Sequence, residues 1–321
     1  MLFRKPGRNV TPNPAIAKLL PEAHETLSMF VAASRFRDAG GVITDLDGTA
    51  LHEDQGRIYI PKPVELGLKR LYDLGRPFVL NSLRFPLSIL RTFGRDWYSI
   101  SNAPIPTVSL NGSLLGYVTQ NAQGEMIFEE IAAYPLARDE IDQALDSLEE
   151  LLGNGIQEAL LFYYPRDWRV GEVIWTPIPE RVLGVKEKYV SASSVTAVEL
   201  RKLRDQLHAE DICMMFLLLD IPEERLMAYQ HTRRNSFFTQ AGVDKLFGAR
   251  QIAEQLHFDL ASSIGAGDTE LDRFLMGVGL AVLVGGLPLD FHGVHGTLRL
   301  KNSFELGNLL FEVANLLGEN A

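Results

Sequence analysis

Two aspartates stand one residue apart directly after a short β-prone run near the start of the chain. Asp45 and Asp47 follow residues 42–44, and Gly48 and Thr49 come next. Alternate side chains of an extended chain lie on one side, so both carboxylates can face one ligand. Such a pair suits a hard cation such as Mg²⁺, and one aspartate could act as nucleophile while the other moves a proton. A plain strand ending in an Asp-Gly turn explains the same residues.

Polar residues also end the next two predicted strands. Ser82, Leu83 and Arg84 follow residues 77–80, and Asn111 with Gly112 follows residues 107–110. The Ser82 hydroxyl could donate to a phosphoryl oxygen, and backbone N–H groups at a helix start favour an anion. A serine that only caps the following helix fits equally well.

The second half of the chain offers a lysine and two more carboxylates. Lys245 opens a helical run over residues 246–256, and a strand-like run over residues 259–266 leads into Asp268. Asp272 comes four residues later, which would place both carboxylates on one face if a helix starts there. Asp268 would then sit at a strand end, as Asp45 does. An N-capping aspartate with an acidic first turn is the structural alternative.

In this order and spacing the residues resemble the four motifs of the haloacid dehalogenase (HAD) superfamily, mostly Mg²⁺-dependent phosphatases. DLDGT matches the first motif, Ser82 and Arg84 the second, Lys245 the third, and the run from Gly267 to Asp272 the fourth. Leu83 and Leu271 depart from the residues common there, glycine and asparagine. An insert of suitable size between the second and third motifs resembles the larger α/β cap of subfamily IIB, which includes the Cof-type and sucrose-phosphate phosphatases.

The resemblance implies a role for each matched residue. Asp45 would be the nucleophile and Asp47 the acid and base, while Ser82 and Lys245 would hold the phosphoryl oxygens. Phosphate or substrate contacts would come from Leu46, Asp47, Ser82, Leu83, Arg84, Asn111 and Lys245. Mg²⁺ would be the cofactor, with ligands from Asp45, Asp47 through its backbone carbonyl, Asp268 and Asp272.

The same resemblance, with the run of alternating strands and helices, predicts the fold and its division. We expect a doubly wound parallel α/β core with an inserted α+β cap. The predicted parts are a helical N-terminal extension over residues 1–38, a core over residues 39–112 and 238–321, and a cap over residues 113–237 that selects the substrate. The extension would dock on the core or form a contact between two copies of the chain.

The composition of the chain argues against several kinds of partner and cross-link. The 321-residue chain carries a formal net charge of −10, which argues against a nucleic-acid-binding surface. Cys213 is the only cysteine, so neither an intrachain disulfide nor a cysteine-based metal cluster is expected. No apolar stretch reaches the ~20 residues of a membrane span, and we expect a cytoplasmic protein.

These observations predict a Mg²⁺-dependent phosphomonoester hydrolase. Its substrate would be a small phosphorylated metabolite, a sugar phosphate by resemblance, cleaved through an aspartyl-phosphate. Two alternatives use the same residues: a phosphohexomutase on the same scaffold, and a phosphosugar-binding protein without turnover.

Overall fold

The computed structural model describes residues 19–219 and 236–318. The strands within these ranges are β1 (Val42–Thr44), β2 (His52–Asp54), β3 (Arg57–Tyr59), β4 (Phe78–Asn81), β5 (Ile105–Ser109), β6 (Leu114–Gln120), β7 (Met126–Ala133), β8 (Ala159–Pro165), β9 (Val173–Trp175), β10 (Ser194–Thr196), β11 (Ile212–Leu219), β12 (Ser236–Phe238), β13 (Ile264–Gly267), β14 (Leu280–Val284) and β15 (Gly296–Leu300). The helices are α1 (Pro21–Ala33), α2 (Phe36–Ala39), α3 (Lys62–Asp73), α4 (Pro86–Thr92), α5 (Gly94–Ser101), α6 (Arg138–Gly153), α7 (Val182–Lys188), α8 (Leu200–Ala209), α9 (Lys245–Gln255) and α10 (Ser303–Gly318).

An eight-stranded sheet carries the core, in the order β15-β14-β13-β1-β4-β5-β6-β7. The six strands from β15 to β5 pair in parallel. The inner strands β1, β4, β13 and β14 are buried at every position, as expected where helices cover both faces of a parallel sheet. The predicted doubly wound α/β fold is confirmed.

The strand order reverses between β1 and β13. From this pair the chain continues to β4 and β5 on one side, and to β14 and β15 on the other. Thr44 of β1 lies opposite Ala266 of β13, so the two strands end at the same level. Ligands of open α/β sheets bind beyond the carboxyl ends of the strands at such a reversal.

A second, five-stranded sheet follows the order β10-β9-β8-β11-β12. All its neighbouring strands are antiparallel except β9 and β10. Helices α6 and α8 bury one apolar face of this sheet through Leu145, Leu148, Leu203 and Leu207. This layer of strands and two helices agrees with the α+β character predicted for the insert.

The start of the insert differs from the predicted boundary at residue 113. β6 pairs antiparallel with β5, and β7 with β6, so both strands extend the eight-stranded sheet. The hairpin of β6 and β7 pairs with β5, the strand that precedes it in the chain. Its apolar residues suit either sheet, so the sequence pattern wrongly placed the hairpin in the insert. The five-stranded sheet begins only at Ala159.

The N-terminal extension packs on the core. The predicted helical extension over residues 1–38 begins outside the described ranges, and its described part contains α1 and most of α2. Leu27 and Phe30 of α1 are fully buried, and the Phe30 ring lies 5.5 Å from that of Phe36. Arg37 donates to the carbonyl oxygens of Leu316 and Leu317 at the end of α10. None of the described helices is long and apolar enough to cross a membrane.

We predict that Phe30→Ala lowers the free energy of unfolding by about 3–5 kcal/mol, because it removes a fully buried aromatic ring and leaves a cavity. Urea denaturation measures the change, with Met29→Ala as the control because Met29 is 65% exposed on the same helix. Equal stability of the two variants would contradict the docking of α1.

Candidate active site

Asp45 lies directly beyond β1, at the point where the strand order reverses. Its side chain is buried, and its backbone N–H donates to Ala266 O at 2.9 Å. The chain then turns through residues 46–50, where Leu51 N donates to Leu46 O. Gly48 has φ +76, and a Cβ there would lie 2.1 Å from Asp268 Oδ2. Glycine is required because the loop takes a left-handed conformation and presses on this carboxylate.

Lys245 joins two carboxylates from different parts of the chain. Its Nζ donates to Asp45 Oδ1 at 2.5 Å and to Asp272 Oδ1 at 2.7 Å. The lysine is the first residue of α9, which Asp244 caps by accepting from Phe247 N. Asn81 at the end of β4 donates to Lys245 O at 3.0 Å. The ammonium is therefore held through both its side chain and its backbone.

The charges in this cluster perturb each other. Burial disfavours the charged form of Lys245, but Asp45 and Asp272 outweigh it and raise the lysine pKa. Burial raises the pKa of Asp45 to about 7, although Lys245 opposes the shift. Burial and the nearby Asp272 also raise the pKa of Asp268. One ammonium thus compensates only part of the negative charge of three carboxylates.

Asp272 organises the loop that carries Asp268. Its Oδ2 accepts from Asp268 N at 2.9 Å, from Thr269 N at 2.9 Å and from Thr269 Oγ1 at 3.1 Å. Residues 268–272 form a turn, so the two carboxylates meet through this turn and not along a helix face. Thr49 Oγ1 donates to Asp268 Oδ1 at 3.1 Å and ties the loop to the one after β1.

Three carboxylates could hold a metal ion. One oxygen each of Asp45, Asp268 and Asp272 lies within 4.8 Å of the others. Both oxygens of Asp272 already accept hydrogen bonds. Asp268 is half-buried, and among the described residues its side chain accepts only from the Thr49 hydroxyl. The set fits a hard divalent cation, because all its donors are oxygens and a cation would relieve their repulsion.

Asp47 stands apart from this buried cluster. Arg84 binds it with two hydrogen bonds, from Nε to Oδ2 at 2.7 Å and from Nη2 to Oδ1 at 2.6 Å. The Asp47 side chain is 51% exposed and that of Arg84 is 20% exposed. The guanidinium also lies 5.3 Å from the centre of the Phe93 ring. Asp47 is therefore a solvent-facing carboxylate at the mouth of the site.

The other predicted phosphate contacts come from the ends of β4 and β5. Ser82 is buried, and its Oγ accepts from Arg84 N at 3.1 Å, as a capping serine would. Asn111 N donates to Ser82 O at 3.4 Å. Asn111 Oδ1 is buried without a partner among the described residues. Leu46 is fully buried and Leu83 half-buried. Because both side chains are apolar, they offer a phosphoryl group no polar contact.

Sequence reasoning missed Thr49 and Asn81. Both are fully buried polar residues that fix a charged neighbour. Thr49 lies inside the first motif, and Asn81 ends an apolar strand. The sequence signal that could have identified Asn81 is a polar residue at the end of an apolar strand.

Solved structures of other proteins have a fold similar to that of this chain. No family model and no curated protein sequence matches the chain. A phosphatase of the haloalkanoate (HAD) enzyme superfamily from Bacteroides thetaiotaomicron has a TM-score of 0.59 at 15% identity, over 87% of this chain and 96% of that chain. A HAD subclass IIB sugar phosphatase has a TM-score of 0.58 at 15% identity, over 84% and 95%. A haloacid dehalogenase-like hydrolase from B. subtilis has a TM-score of 0.51 at 17% identity, over 87% and 99%.

The fold is therefore that of the HAD phosphatases. The residues predicted from the four motifs meet at the carboxyl edge of its sheet: Asp45 after β1, Ser82 after β4, Lys245 at the start of α9 and Asp268 after β13.

We predict that Lys245→Met lowers the free energy of unfolding by about 3–5 kcal/mol, because it leaves buried carboxylates without their cation. Adding Asp45→Asn should recover part of the loss, since the second substitution removes one of these charges. Urea denaturation of both single variants and the double variant measures the coupling. Lys69→Met is the control, because Lys69 pairs with Asp73 at the surface. Additive effects of the two substitutions would contradict the buried pair.

Proposed function

We propose that this protein is a Mg²⁺-dependent phosphomonoester hydrolase that acts on a small phosphorylated metabolite through an aspartyl-phosphate. The observation that carries the proposal is the position of Asp45. This buried carboxylate lies at the strand-order reversal, bonded to Lys245 and close to Asp268. A nucleophile needs such surroundings, in which a nearby cation can stabilise the phosphoryl oxygens during transfer.

Asp45 and Asp268 would hold the Mg²⁺ together with the backbone carbonyl of Asp47. The cation would supply charge neutralisation of the phosphoryl group. Asp272 keeps its contacts to Lys245 and to the loop, and so positions the other groups. Lys245 is fixed in place before substrate arrives, so its contribution requires little reorganisation.

The chain provides one carboxylate for attack on phosphorus and a second for the two proton transfers. Asp45 attacks phosphorus, and the P–O bond to the leaving group breaks. Asp47 gives a proton to the leaving oxygen and later takes one from the water that hydrolyses the aspartyl-phosphate. Arg84 must release one of its two bonds to Asp47 before that carboxylate can reach the leaving group. Ser82 Oγ and the backbone N–H groups that follow it contact the phosphoryl oxygens.

A sugar phosphate is the substrate class we propose. One structural neighbour is described as a sugar phosphatase, and the five-stranded α+β insert adds a second layer to the core from which substrate contacts can come. A phosphohexomutase would use the same two aspartates, so dependence on a sugar bisphosphate separates the two activities.

We predict phosphate release from one or more members of a panel of phosphorylated sugars and polyols in the presence of Mg²⁺. EDTA should abolish release, and Asp45→Asn should lower kcat at least about a thousandfold, because the nucleophile is lost. Asp290→Asn is the control, since Asp290 is an exposed carboxylate outside the site.

A phosphate-release assay with purified protein makes the measurement. Release that persists in Asp45→Asn would contradict the assignment of the nucleophile. Conversion that depends on a sugar bisphosphate, without net phosphate release, would favour the mutase.

A further inference from the structure

The turn that follows β5 has a strained backbone. Its three residues, Leu110, Asn111 and Gly112, have positive φ angles of +50°, +58° and +101°. A leucine rarely takes this left-handed conformation, which costs free energy and persists only where the surrounding structure imposes it. Leu110 is buried, so the core holds its side chain. The strain indicates that the backbone path through residues 110–112 is constrained by contacts on both sides.

On one side, the turn is joined to the loop that carries Ser82. Leu110 N donates to Arg84 O at 3.3 Å, and Asn111 N donates to Ser82 O at 3.4 Å. Both bonds run between backbone atoms, so the paths of the turn and of the loop depend on each other. Ser82 Oγ and the N–H groups that follow it are the proposed contacts of the phosphoryl oxygens.

On the other side, the turn packs against the first turn of α9. A Cβ on Gly112 would lie 2.2 Å from Asp244 O. A Cβ on Gly248 would lie 2.5 Å from Val108 Cγ1 and 2.9 Å from Gly112 Cα. Both glycines are buried. Because ordinary contacts between carbon atoms lie at about 3.5 Å or more, neither position has room for a side chain.

This contact fixes the helix start that carries Lys245. Gly112 touches Asp244, the residue directly before the lysine, and Gly248 N donates to Asp244 O at 2.9 Å. The approach of the two glycines therefore sets where α9 begins relative to the ends of β4 and β5. A shift of the helix start would move the ammonium relative to Ser82. Stabilisation of a transferring phosphoryl group requires donors at fixed positions.

We infer that Gly112 and Gly248 are positioning residues of the proposed reaction, which set the distance between Lys245 and the loop that carries Ser82. The inference rests on the proposed phosphatase function. Neither glycine has a side chain that could contact the substrate, so each acts through the groups that it places. An added methyl group must push α9 and the turn apart by about 1 Å, and a misplacement of that size costs about a hundredfold in rate.

The test compares Gly112→Ala and Gly248→Ala with the wild type on two substrates, the best member of the panel and nitrophenyl phosphate. Both variants should lower kcat about 10- to 100-fold on both substrates, because Lys245 contacts the phosphoryl group that the substrates share. KM should stay within about threefold, since contacts to the rest of the substrate are unchanged. Inhibition by vanadate, which mimics the transferring phosphoryl group, should weaken more than inhibition by inorganic phosphate.

Two other glycines provide matched controls. Gly124 also has a left-handed φ, of +78°, and Gly184 also lies in a helix, α7, but a Cβ at either position would meet no other part of the described chain within 4 Å. Gly124→Ala therefore repeats the backbone strain of Gly112→Ala, and Gly184→Ala repeats the gain in helix propensity of Gly248→Ala. Both controls should keep the kcat of the wild type. An equal loss of kcat in the controls would overturn the inference.

Gly248→Ala carries the test if Gly112→Ala does not fold, since alanine favours a helix and adds no backbone strain to it. Wild-type kcat in a folded Gly248→Ala protein would overturn the inference and leave the phosphatase function standing. A rise in KM with kcat unchanged would also overturn it, because that result indicates a lost substrate contact. Absence of phosphate release by the wild type from any compound, nitrophenyl phosphate included, would overturn the proposed function and this inference with it.

Discussion

The contact of the Lys245 ammonium with Asp45 and Asp272 is the interaction on which the rest of the site depends. Without this cation, three carboxylates with oxygens within 4.8 Å of each other would repel one another in a largely buried place. Breaking such a pair is costly because it leaves an uncompensated buried charge. The lysine is 200 residues from Asp45 in sequence. The charged centre therefore exists only when β1, β13 and α9 have assembled.

The two aspartates of the first motif experience different surroundings, although one residue separates them. Asp45 is buried and bonded to Lys245, whereas Asp47 is half-exposed and bonded to Arg84. Different environments allow two carboxylates to take different roles in one reaction. The turn after β1, with Gly48 pressed against Asp268, brings about this separation. The backbone thus places two identical side chains in different environments.

Much of the core and its site could be predicted from the sequence, because strand ends leave a local signal. Asp45, Ser82 and Asp268 each follow a short apolar run, and parallel strands bring such ends to one edge of the sheet. Contacts between residues far apart in the chain leave no such local signal. The assignment of β6 and β7 to the larger sheet depends on pairing with β5, which their apolar residues do not specify. The bond from Arg84 to Asp47 and the contact of Asn81 with Lys245 also require the folded structure.

The formation of a phosphoryl bond on Asp45 is the central claim, and trapping the intermediate tests it most directly. The substrate would be mixed with Asp47→Asn protein and Mg²⁺, quenched in acid within the first turnovers, digested and analysed by mass spectrometry. Loss of the proton-transfer group should slow hydrolysis of the intermediate, so we predict one phosphoryl group on the peptide that contains Asp45. If the wild type turns the substrate over, but the trapped Asp47→Asn protein carries the phosphoryl group on another residue or on no peptide at all, the account is contradicted.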